Sequence, residues 1–142
     1  MMDILLYNTK AKEKQILLPI LHDHVRLYAC GPTVYDRIHV GNARPLVVFD
    51  VLVRLLRAAF PKVTYVRNIT DVDDKINARA AERGISISDL CAKTIVSFHE
   101  DCRALNVLSP DIEPRATEHI TQMVGMITGL IEKGFALSLI HI

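Results

Sequence analysis

The sequence predicts an α/β fold with a parallel β-sheet, followed by a helical region. Residues 25–30 begin by alternating apolar and polar side chains, and residues 63–69 are rich in β-branched and aromatic side chains, so both segments are predicted to be strands. An apolar segment of helical length, residues 46–59, lies between them. Strand, helix and strand in one sheet make a crossover unit, in which the two strands run parallel.

Two shorter strands are predicted before this unit, at residues 4–7 and 15–18, where a charged turn separates them. The Gly31-Pro32 pair then ends the strand that precedes the first helix, because these two residues together favour a turn.

Pro45 constrains where the first helix begins. Proline is tolerated only in the first turn of a helix, so the helix is predicted to start near Asn42. Phe60-Pro61 is predicted to end it. The segment between is apolar almost all round, which predicts a helix that is mostly buried.

The second and third helices are predicted from their terminal residues. An acidic first turn at residues 70–74 suits the helix dipole, and Gly84 is predicted to end that helix. Ser86 with Asp89 three residues later resembles a capping box at the start of the third helix. The apolar stripe of the third helix consists of Ile87, Leu90, Cys91, Thr94, Ile95, Phe98, Cys102 and Leu105.

A last helix is predicted after a loop that contains Pro110 and Pro114. Thr117 is predicted to cap this helix and Gly134 to close it. Its apolar face consists of Ile120, Met123, Val124, Ile127, Leu130 and Ile131.

Composition limits the classes of function. With 142 residues, half of them hydrophobic, the chain can bury one real core. The net charge of +1 shows no basic surface that would by itself indicate nucleic acid. No apolar run reaches about 18 residues, so no membrane span is expected. The start lacks a secretory signal pattern and the three cysteines are odd in number, so a cytoplasmic location is predicted.

Residues 30–44 combine a strand end, a glycine-proline turn and a helix start. Backbone N–H groups at a helix start are unpaired and suit a phosphate. His39 and Asn42 are three residues apart and can point the same way, and Gly41 removes the side chain that would block a ligand from the backbone. On spacing alone, a plain turn and helix cap is an equally good interpretation.

Clustered acidic residues offer a rival interpretation. Asp71, Asp73 and Asp74 could hold Mg²⁺ against a diphosphate, although a helix cap and dipole partner is the favoured role. The His-Glu-Asp tripeptide at residues 99–101 is predicted to be a solvated helix face, because consecutive helical side chains diverge.

Residues 30–44 resemble the signature of the cysteinyl-tRNA synthetases, in the class I group. Residues 39–42 match that family's form of the His-Ile-Gly-His motif, with Asn in the last place. The similarity continues through residues 65–75, 98–101 and 110–119. It implies a Rossmann-like parallel sheet, as the N-terminal half of a class I synthetase catalytic domain.

The resemblance also implies a domain division and a function. Residues 1–85 would be half of the catalytic domain, and residues 86–136 the start of a helical insertion. The intact enzyme is expected to be a cytoplasmic monomer without membrane contact. It would activate L-cysteine with ATP and Mg²⁺ to cysteinyl-adenylate and then transfer cysteine to tRNA(Cys).

The resemblance assigns roles to individual residues. His39 and Asn42 would stabilise the charge that builds on the α-phosphate. The implied ATP-binding residues are Gly31, Pro32, Thr33, His39, Gly41 and Asn42. Cys30 would be a Zn²⁺ ligand that helps to hold the substrate thiolate, and Thr70 would lie near the substrate cysteine. On the residues alone, Cys30 is a small buried residue at a strand end and Thr70 is a helix cap.

The chain departs from the family after residue 136. The family continues with further zinc ligands, a lysine-rich loop and an anticodon-binding domain. Residues 137–142 instead resemble a translated sequencing adapter, and are expected to be a non-native tail left by truncation. The fragment alone is therefore expected to expose apolar faces, to bind ATP weakly at best and not to aminoacylate tRNA.

Two alternative functions remain open. One is a ligase that forms the same cysteinyl-adenylate but passes cysteine to an amino-sugar; Pro32 and Asn42 favour the synthetase. The other is a non-catalytic module that binds a nucleotide or tRNA. The nearly neutral charge argues against strong tRNA binding by such a module.

Overall fold

The structure is a computed structural model that describes residues 3–136, so the predicted non-native tail lies outside the described residues. The strands are β1 (Leu5–Asn8), β2 (Glu13–Ile16), β3 (His24–Ala29) and β4 (Lys62–Arg67). The helices are α1 (Val40–Ala59), α2 (Asp74–Arg83), α3 (Ile87–Ala104) and α4 (Ile120–Glu132), with a 3₁₀ turn at Ala116–His119.

The predicted parallel crossover is present. β3 pairs in parallel with β4, in a register that places Val25 opposite Val63 and Ala29 opposite Arg67. α1 connects the two strands. β1 and β2 form a separate antiparallel pair, which confirms the two short strands predicted near the start of the chain.

α1 begins at Val40, two residues before the predicted position near Asn42. The His39 cap sets the start, and Pro45 lies inside the helix beyond the first turn. The N–H that proline lacks would have bonded the carbonyl of Gly41, so the helix gives up one hydrogen bond there.

The prediction that α1 is mostly buried is wrong. Its buried side chains form a single stripe, because only one side of the helix packs on the sheet: Leu46, Asp50, Val53 and Leu56. Apolar side chains on its other side are exposed: Val47, Val48, Val51 and Leu55. This is the exposure of apolar faces that was expected from the sequence.

The larger core joins the loop after β3 to α2 and α3. It consists of Val34, Leu46, Ile69, Ile76, Ala80, Leu90, Cys91, Ile95, Phe98, Cys102 and Val107. The ends of α2 and α3 agree with the sequence: Gly84 closes α2 with a φ of 61°, and the Ser86 side chain caps α3. This core draws side chains from both sides of residue 85, where a domain boundary is predicted; that boundary stays a prediction.

The loop after α3 runs alongside β4 as a strand-like edge. The Arg67 N–H donates to the Ile112 carbonyl at 3.1 Å, and the Ile69 N–H donates to the Pro114 carbonyl at 2.9 Å. The Asp111 carboxylate accepts from the Tyr65 N–H at 2.7 Å. These contacts place Glu113 beside the side chain of Arg67.

Thr117 does not cap the last helix, so that prediction is wrong. Its N–H and its hydroxyl both donate to the Asp71 carboxylate, at 2.9 and 2.6 Å, because this carboxylate is buried and needs donors. α4 starts at Ile120 without a side-chain cap, and none of its residues is buried. None of the helices within residues 3–136 is both long enough and apolar enough to span a bilayer.

Candidate active-site cleft

A cleft opens where the carboxyl end of β3 meets the start of α1. Its lining residues are Ala29, Cys30, Gly31, Pro32, Asn42, Pro45, Leu46, Phe49, Tyr65 and Arg67. Open α/β sheets place ligands beyond the carboxyl ends of their strands, which is where this cleft lies. Its cavity volume of about 90 Å³ is small beside the roughly 300–1,000 Å³ of typical ligand pockets. The cleft is therefore smaller than a typical ligand pocket.

The structure brings four of the sequence-predicted site residues into this cleft: Cys30, Gly31, Pro32 and Asn42. His39 and Gly41 lie exposed at the adjacent helix start. Thr33 and Thr70 are not among the residues that line the cleft, and they form an isolated parallel bridge with each other. The Thr70 N–H donates to the Pro32 carbonyl at 3.1 Å, so Thr70 supports the loop that carries the cleft.

Gly31 is required by a close backbone approach. A Cβ atom at this position would lie 1.6 Å from the carbonyl oxygen of Asn68. The Gly31 N–H donates to the Asn68 side-chain oxygen at 2.8 Å, and the Asn68 amide donates to the Thr70 hydroxyl at 3.2 Å. Asn68 thus anchors the loop from β4. Sequence reasoning missed it, although a polar side chain at the carboxyl end of a predicted strand was the available signal.

The start of α1 carries a reciprocal capping box. His39 Nδ1 accepts from the Gly41 N–H at 3.0 Å, and the side-chain oxygen of Asn42 accepts from the His39 N–H at 3.2 Å. The N–H groups of Asn42 and Ala43 both donate to the His39 carbonyl. The three N–H groups of residues 41–43 therefore have partners within the chain, contrary to the expectation of unpaired donors at this helix start.

Two large polar side chains form the floor of the cleft. Tyr65 is 1% exposed and Arg67 is 2% exposed. Within the described residues, the Tyr65 hydroxyl and Arg67 Nε and Nη1 have no hydrogen-bond partner. Burial raises the pKa of Tyr65, and the neighbouring Arg67 cation partly opposes that rise.

The charge of Arg67 is balanced from the side away from the cleft. Arg67 Nη2 donates to Glu113 Oε2 at 2.9 Å, and the guanidinium lies 5.0 Å from the centre of the Phe98 ring. The other Glu113 oxygen lies 2.6 Å from His99 Nε2. Sequence reasoning missed the group formed by Arg67, Glu113 and His99. The available signal was a charged residue, Arg67, within the strand predicted at residues 63–69.

The acidic residues around α2 have structural roles. Asp71 binds Thr117, Asp73 caps α2 by accepting from the Lys75 N–H at 2.8 Å, and Asp74 lies in the first turn. The side chains of residues 99–101 diverge as predicted, but they do not form a fully solvated face: His99 contacts Glu113 and Asp101 pairs with Arg37, and only Glu100 is exposed. In the part of the chain that the structure describes, no three His, Cys, Asp or Glu residues form a group that could hold a metal.

The donor set does not make a zinc site. Cys30 is exposed, so the interpretation of a small buried residue is wrong, and its thiol is free. A protein zinc site takes three or four protein ligands, whereas residues 3–136 provide Cys30 without companions at this position. Cys91 and Cys102 are buried in the α3 core, where burial raises the pKa of each thiol.

Residues 16–140 match the family model described as the catalytic domain of class I (C) tRNA synthetases. The chain therefore belongs to the class I tRNA synthetase catalytic-domain family, and the Rossmann-like fold class predicted from the sequence is confirmed.

Within that class, the chain is similar to cysteine–tRNA ligases. It is 62% identical over 135 residues to the cysteine–tRNA ligase of Paramagnetospirillum magneticum. The aligned region covers 95% of this chain and 29% of the relative. It is 58% identical over 135 residues to that of Rhodospirillum rubrum, with the same coverage. It is 59% identical over 136 residues to that of Acidiphilium cryptum, and the aligned region covers 96% of this chain and 30% of the relative. The chain thus spans under a third of the length of these relatives.

Proposed function

We propose that the chain contributes the ATP-contacting wall of a cysteine–tRNA ligase. The intact enzyme activates L-cysteine with ATP to cysteinyl-adenylate, releases pyrophosphate and transfers cysteine to tRNA(Cys). The observation that carries this proposal is the similarity to enzymes named cysteine–tRNA ligase, at 62% identity over nearly the whole chain. The position of the His39–Asn42 signature beside the cleft supports it.

The residues at the start of α1 act through position and charge. In adenylate formation, a carboxylate oxygen of cysteine attacks the α-phosphorus, and the bond from that phosphorus to the pyrophosphate breaks. Negative charge on the phosphate oxygens is stabilised by donors already in place, and His39 and Asn42 are the proposed donors. Gly31, Pro32, Thr33 and Gly41 shape the loop and helix start around the nucleotide.

The proposed cysteine-binding residues lie on the β3 side of the cleft. Cys30 lines the cleft, and Thr70 supports the adjoining loop through its hydrogen bond to the Pro32 carbonyl. Cys30 can supply one thiolate to a zinc ion, but the described residues do not complete such a site, so no step is assigned to zinc. Mg²⁺ is proposed to arrive with the ATP phosphates. A cytoplasmic, monomeric intact enzyme stays a prediction.

Photoaffinity labelling tests where the nucleotide binds, because a covalent label reports even weak binding. The 142-residue chain is irradiated with 8-azido-ATP, and the labelled peptides are mapped by mass spectrometry. The label is expected on residues 27–44, and excess ATP is expected to suppress it. His39→Ala is expected to reduce it severalfold, and Lys93→Ala, a change on an exposed part of α3, to leave it unchanged. ATP-sensitive labelling confined to residues 71–83 would contradict the proposal.

A further inference from the structure

Tyr65 and Arg67, the floor of the cleft, both carry polar atoms that the described residues leave without a partner. We propose that this floor is a subsite for a small carboxylate group, with the Arg67 guanidinium and the Tyr65 hydroxyl as its hydrogen-bond donors. The carboxylate is carried by the substrate amino acid or by an acidic side chain from outside this chain. The first of these sources rests on the proposed function, whereas the subsite itself does not.

The fold places the two side chains together and away from solvent. Tyr65 and Arg67 are two residues apart in β4, so their side chains lie on the same face of the strand. Tyr65 packs in a core cluster with Ala29 and Val53, and the Arg67 guanidinium lies against the Phe98 ring. Both side chains are almost entirely buried and both line the cleft. A buried polar atom needs a partner, so the floor calls for a ligand.

The atoms without a partner are mainly donors. An arginine has five N–H groups, and those on Nε and Nη1 of Arg67 are unpaired within the described residues, as is the Tyr65 hydroxyl. Burial raises the pKa of Tyr65, so its hydroxyl keeps the proton that it can donate. The floor therefore suits a ligand that accepts several hydrogen bonds.

The charge of Arg67 favours an acceptor that is anionic. Arg67 Nη2 donates to Glu113, whose other oxygen lies 2.6 Å from His99 Nε2, so that carboxylate is shared between two groups. Asp50, whose charge also acts on Tyr65, already accepts hydrogen bonds from other residues of the chain. Carboxylates form the strongest hydrogen bonds with a guanidinium, and a further carboxylate would engage its free N–H groups.

The size and lining of the cleft limit the ligand to a small group. Its volume of about 90 Å³ is too small to enclose a nucleotide, but it is several times the roughly 10–15 Å³ that one water molecule requires. Pro45, Leu46 and Phe49 line the cleft with apolar surface. Such surroundings strengthen a hydrogen bond to a charged group, because they lower the local dielectric constant. A carboxylate on an amino acid or a short side chain fits these limits.

A titration with acetate tests the subsite directly. Nuclear magnetic resonance of the ¹⁵N-labelled 142-residue chain follows the side-chain N–H groups of Arg67 while sodium acetate replaces sodium chloride at constant ionic strength. A saturable shift of these resonances is expected with acetate and not with acetamide, which has nearly the same shape but no charge. The absence of a saturable shift with acetate, or an equal shift with acetamide, would overturn the proposal.

Tyr65→Phe removes one donor and keeps the ring. It is expected to weaken acetate binding at least about tenfold, because it removes a hydrogen bond to a charged group. Tyr28→Phe, the same change at an exposed position of β3, is the matched control and is expected to leave acetate binding unchanged. Equal effects of the two substitutions would overturn the role of Tyr65. Amide protection in α3 monitors folding, and if Tyr65→Phe does not fold, the wild-type titration alone decides.

Two further ligands identify the source of the carboxylate. If the substrate carries it, L-cysteine should displace acetate from Arg67 at a lower concentration than L-alanine does, and cysteamine, which lacks the carboxylate, should not displace it. Equal displacement by L-cysteine and L-alanine would assign the subsite to an acidic side chain from outside this chain.

The acetate titration uses neither nucleotide nor cysteine, so it can fail independently of the proposed function. A chain that binds no acetate but is labelled by 8-azido-ATP would remove the inference and retain the proposed function. Conversely, a chain that binds acetate but is not labelled would retain the subsite and count against the proposed function.

Discussion

Gly31 shows how a single backbone position determines the shape of the cleft. The chain leaves β3 close to the carbonyl of Asn68, and the distance of 1.6 Å for an added Cβ leaves no space for a side chain. The obstructing atom belongs to the backbone, which cannot swing aside as a side chain can. The loop from Cys30 to Pro32 would have to move away from β4.

Gly31→Ala is expected to lower the free energy of unfolding by about 3 kcal/mol, because the loop must move out of a tightly packed site. Urea denaturation of the 142-residue chain measures the change. Gly125→Ala is the matched control: Gly125 lies in α4, and an added Cβ there meets no atom within 4 Å. It is expected to leave stability unchanged or slightly higher. Equal effects of the two substitutions would contradict the close approach at Gly31.

The three thiols are expected to differ in reactivity. Cys30 is exposed, whereas Cys91 and Cys102 are buried and burial raises the pKa of their thiols. Iodoacetamide should therefore modify Cys30 of the native chain at least about tenfold faster than the other two. Mass spectrometry of the timed reaction measures this, and the difference should vanish in urea. Equal native rates would show that the α3 core is not formed as described.

Of the site residues predicted from the sequence, His39, Gly41 and Asn42 have local roles, whereas Gly31 and Thr70 bond to Asn68 and Pro32, far away in the chain. His39, Gly41 and Asn42 form their contacts within four residues, and the resemblance to the family signature, rather than their spacing alone, assigned their roles. Asn68 and Arg67 were missed because their partners, Gly31 and Glu113, are 37 and 46 residues away in the chain. Such roles depend on which segments the fold brings together.

At the scale of elements, Asp50 joins α1 to the loop after α3. Its carboxylate accepts from Arg54 Nε at 2.8 Å and from the Leu108 N–H at 2.8 Å. Burial raises the pKa of Asp50, but the hydrogen bonds from Arg54 and Leu108 outweigh burial and hold it below the ordinary value of 3.8. The carboxylate is thus more stable in the folded chain than in the unfolded chain.

Asp50 should therefore make stability depend on pH in one direction. A lowered pKa in the folded state gives stabilisation that is present above the ordinary pKa of 3.8 and lost as the pH falls below it. Asp50→Asn is expected to reduce the free energy of unfolding by about 2 kcal/mol near neutral pH. The difference in the free energy of unfolding between Asp50→Asn and the wild type should become smaller below pH 3.8. Urea denaturation across a pH series measures this difference. A difference in the free energy of unfolding that does not change with pH would contradict the stabilising role of the charged Asp50 carboxylate.

The elements themselves were predictable, because caps, breakers and strand composition are local signals. β3, β4, α2 and α3 all lie where the sequence placed them, to within a few residues. The degree of burial of α1 was not predictable. An apolar surface indicates that a helix can be buried, but the number of neighbours that cover it depends on the rest of the fold.

At the scale of the whole molecule, α4 contrasts with the two cores. Its apolar face has the helical spacing predicted from the sequence, but none of its residues is buried. An isolated helix of 13 residues is marginal in water, because its stability normally comes from packing of its apolar face. α3, by contrast, contributes six buried side chains, five of them to the larger core.

Amide hydrogen exchange should reflect this contrast. Residues 120–132 of the 142-residue chain are expected to exchange at least about a hundredfold faster than residues 87–104, since local opening of α4 exposes no buried surface. Mass spectrometry of peptic peptides measures both segments in one sample, so α3 serves as the internal control. Equal protection of the two helices would show that α4 is covered in solution.

On the proposed function, this chain can serve as the nucleotide-contacting part of cysteine activation. The most direct measurement replaces the matching 135 residues of the Paramagnetospirillum magneticum cysteine–tRNA ligase with those of this chain and follows exchange of labelled pyrophosphate into ATP. Exchange that depends on cysteine, is not supported by serine and falls at least about a hundredfold in His39→Ala is the predicted result. A folded chimera without cysteine-dependent exchange, beside an active parent enzyme, would contradict the claim.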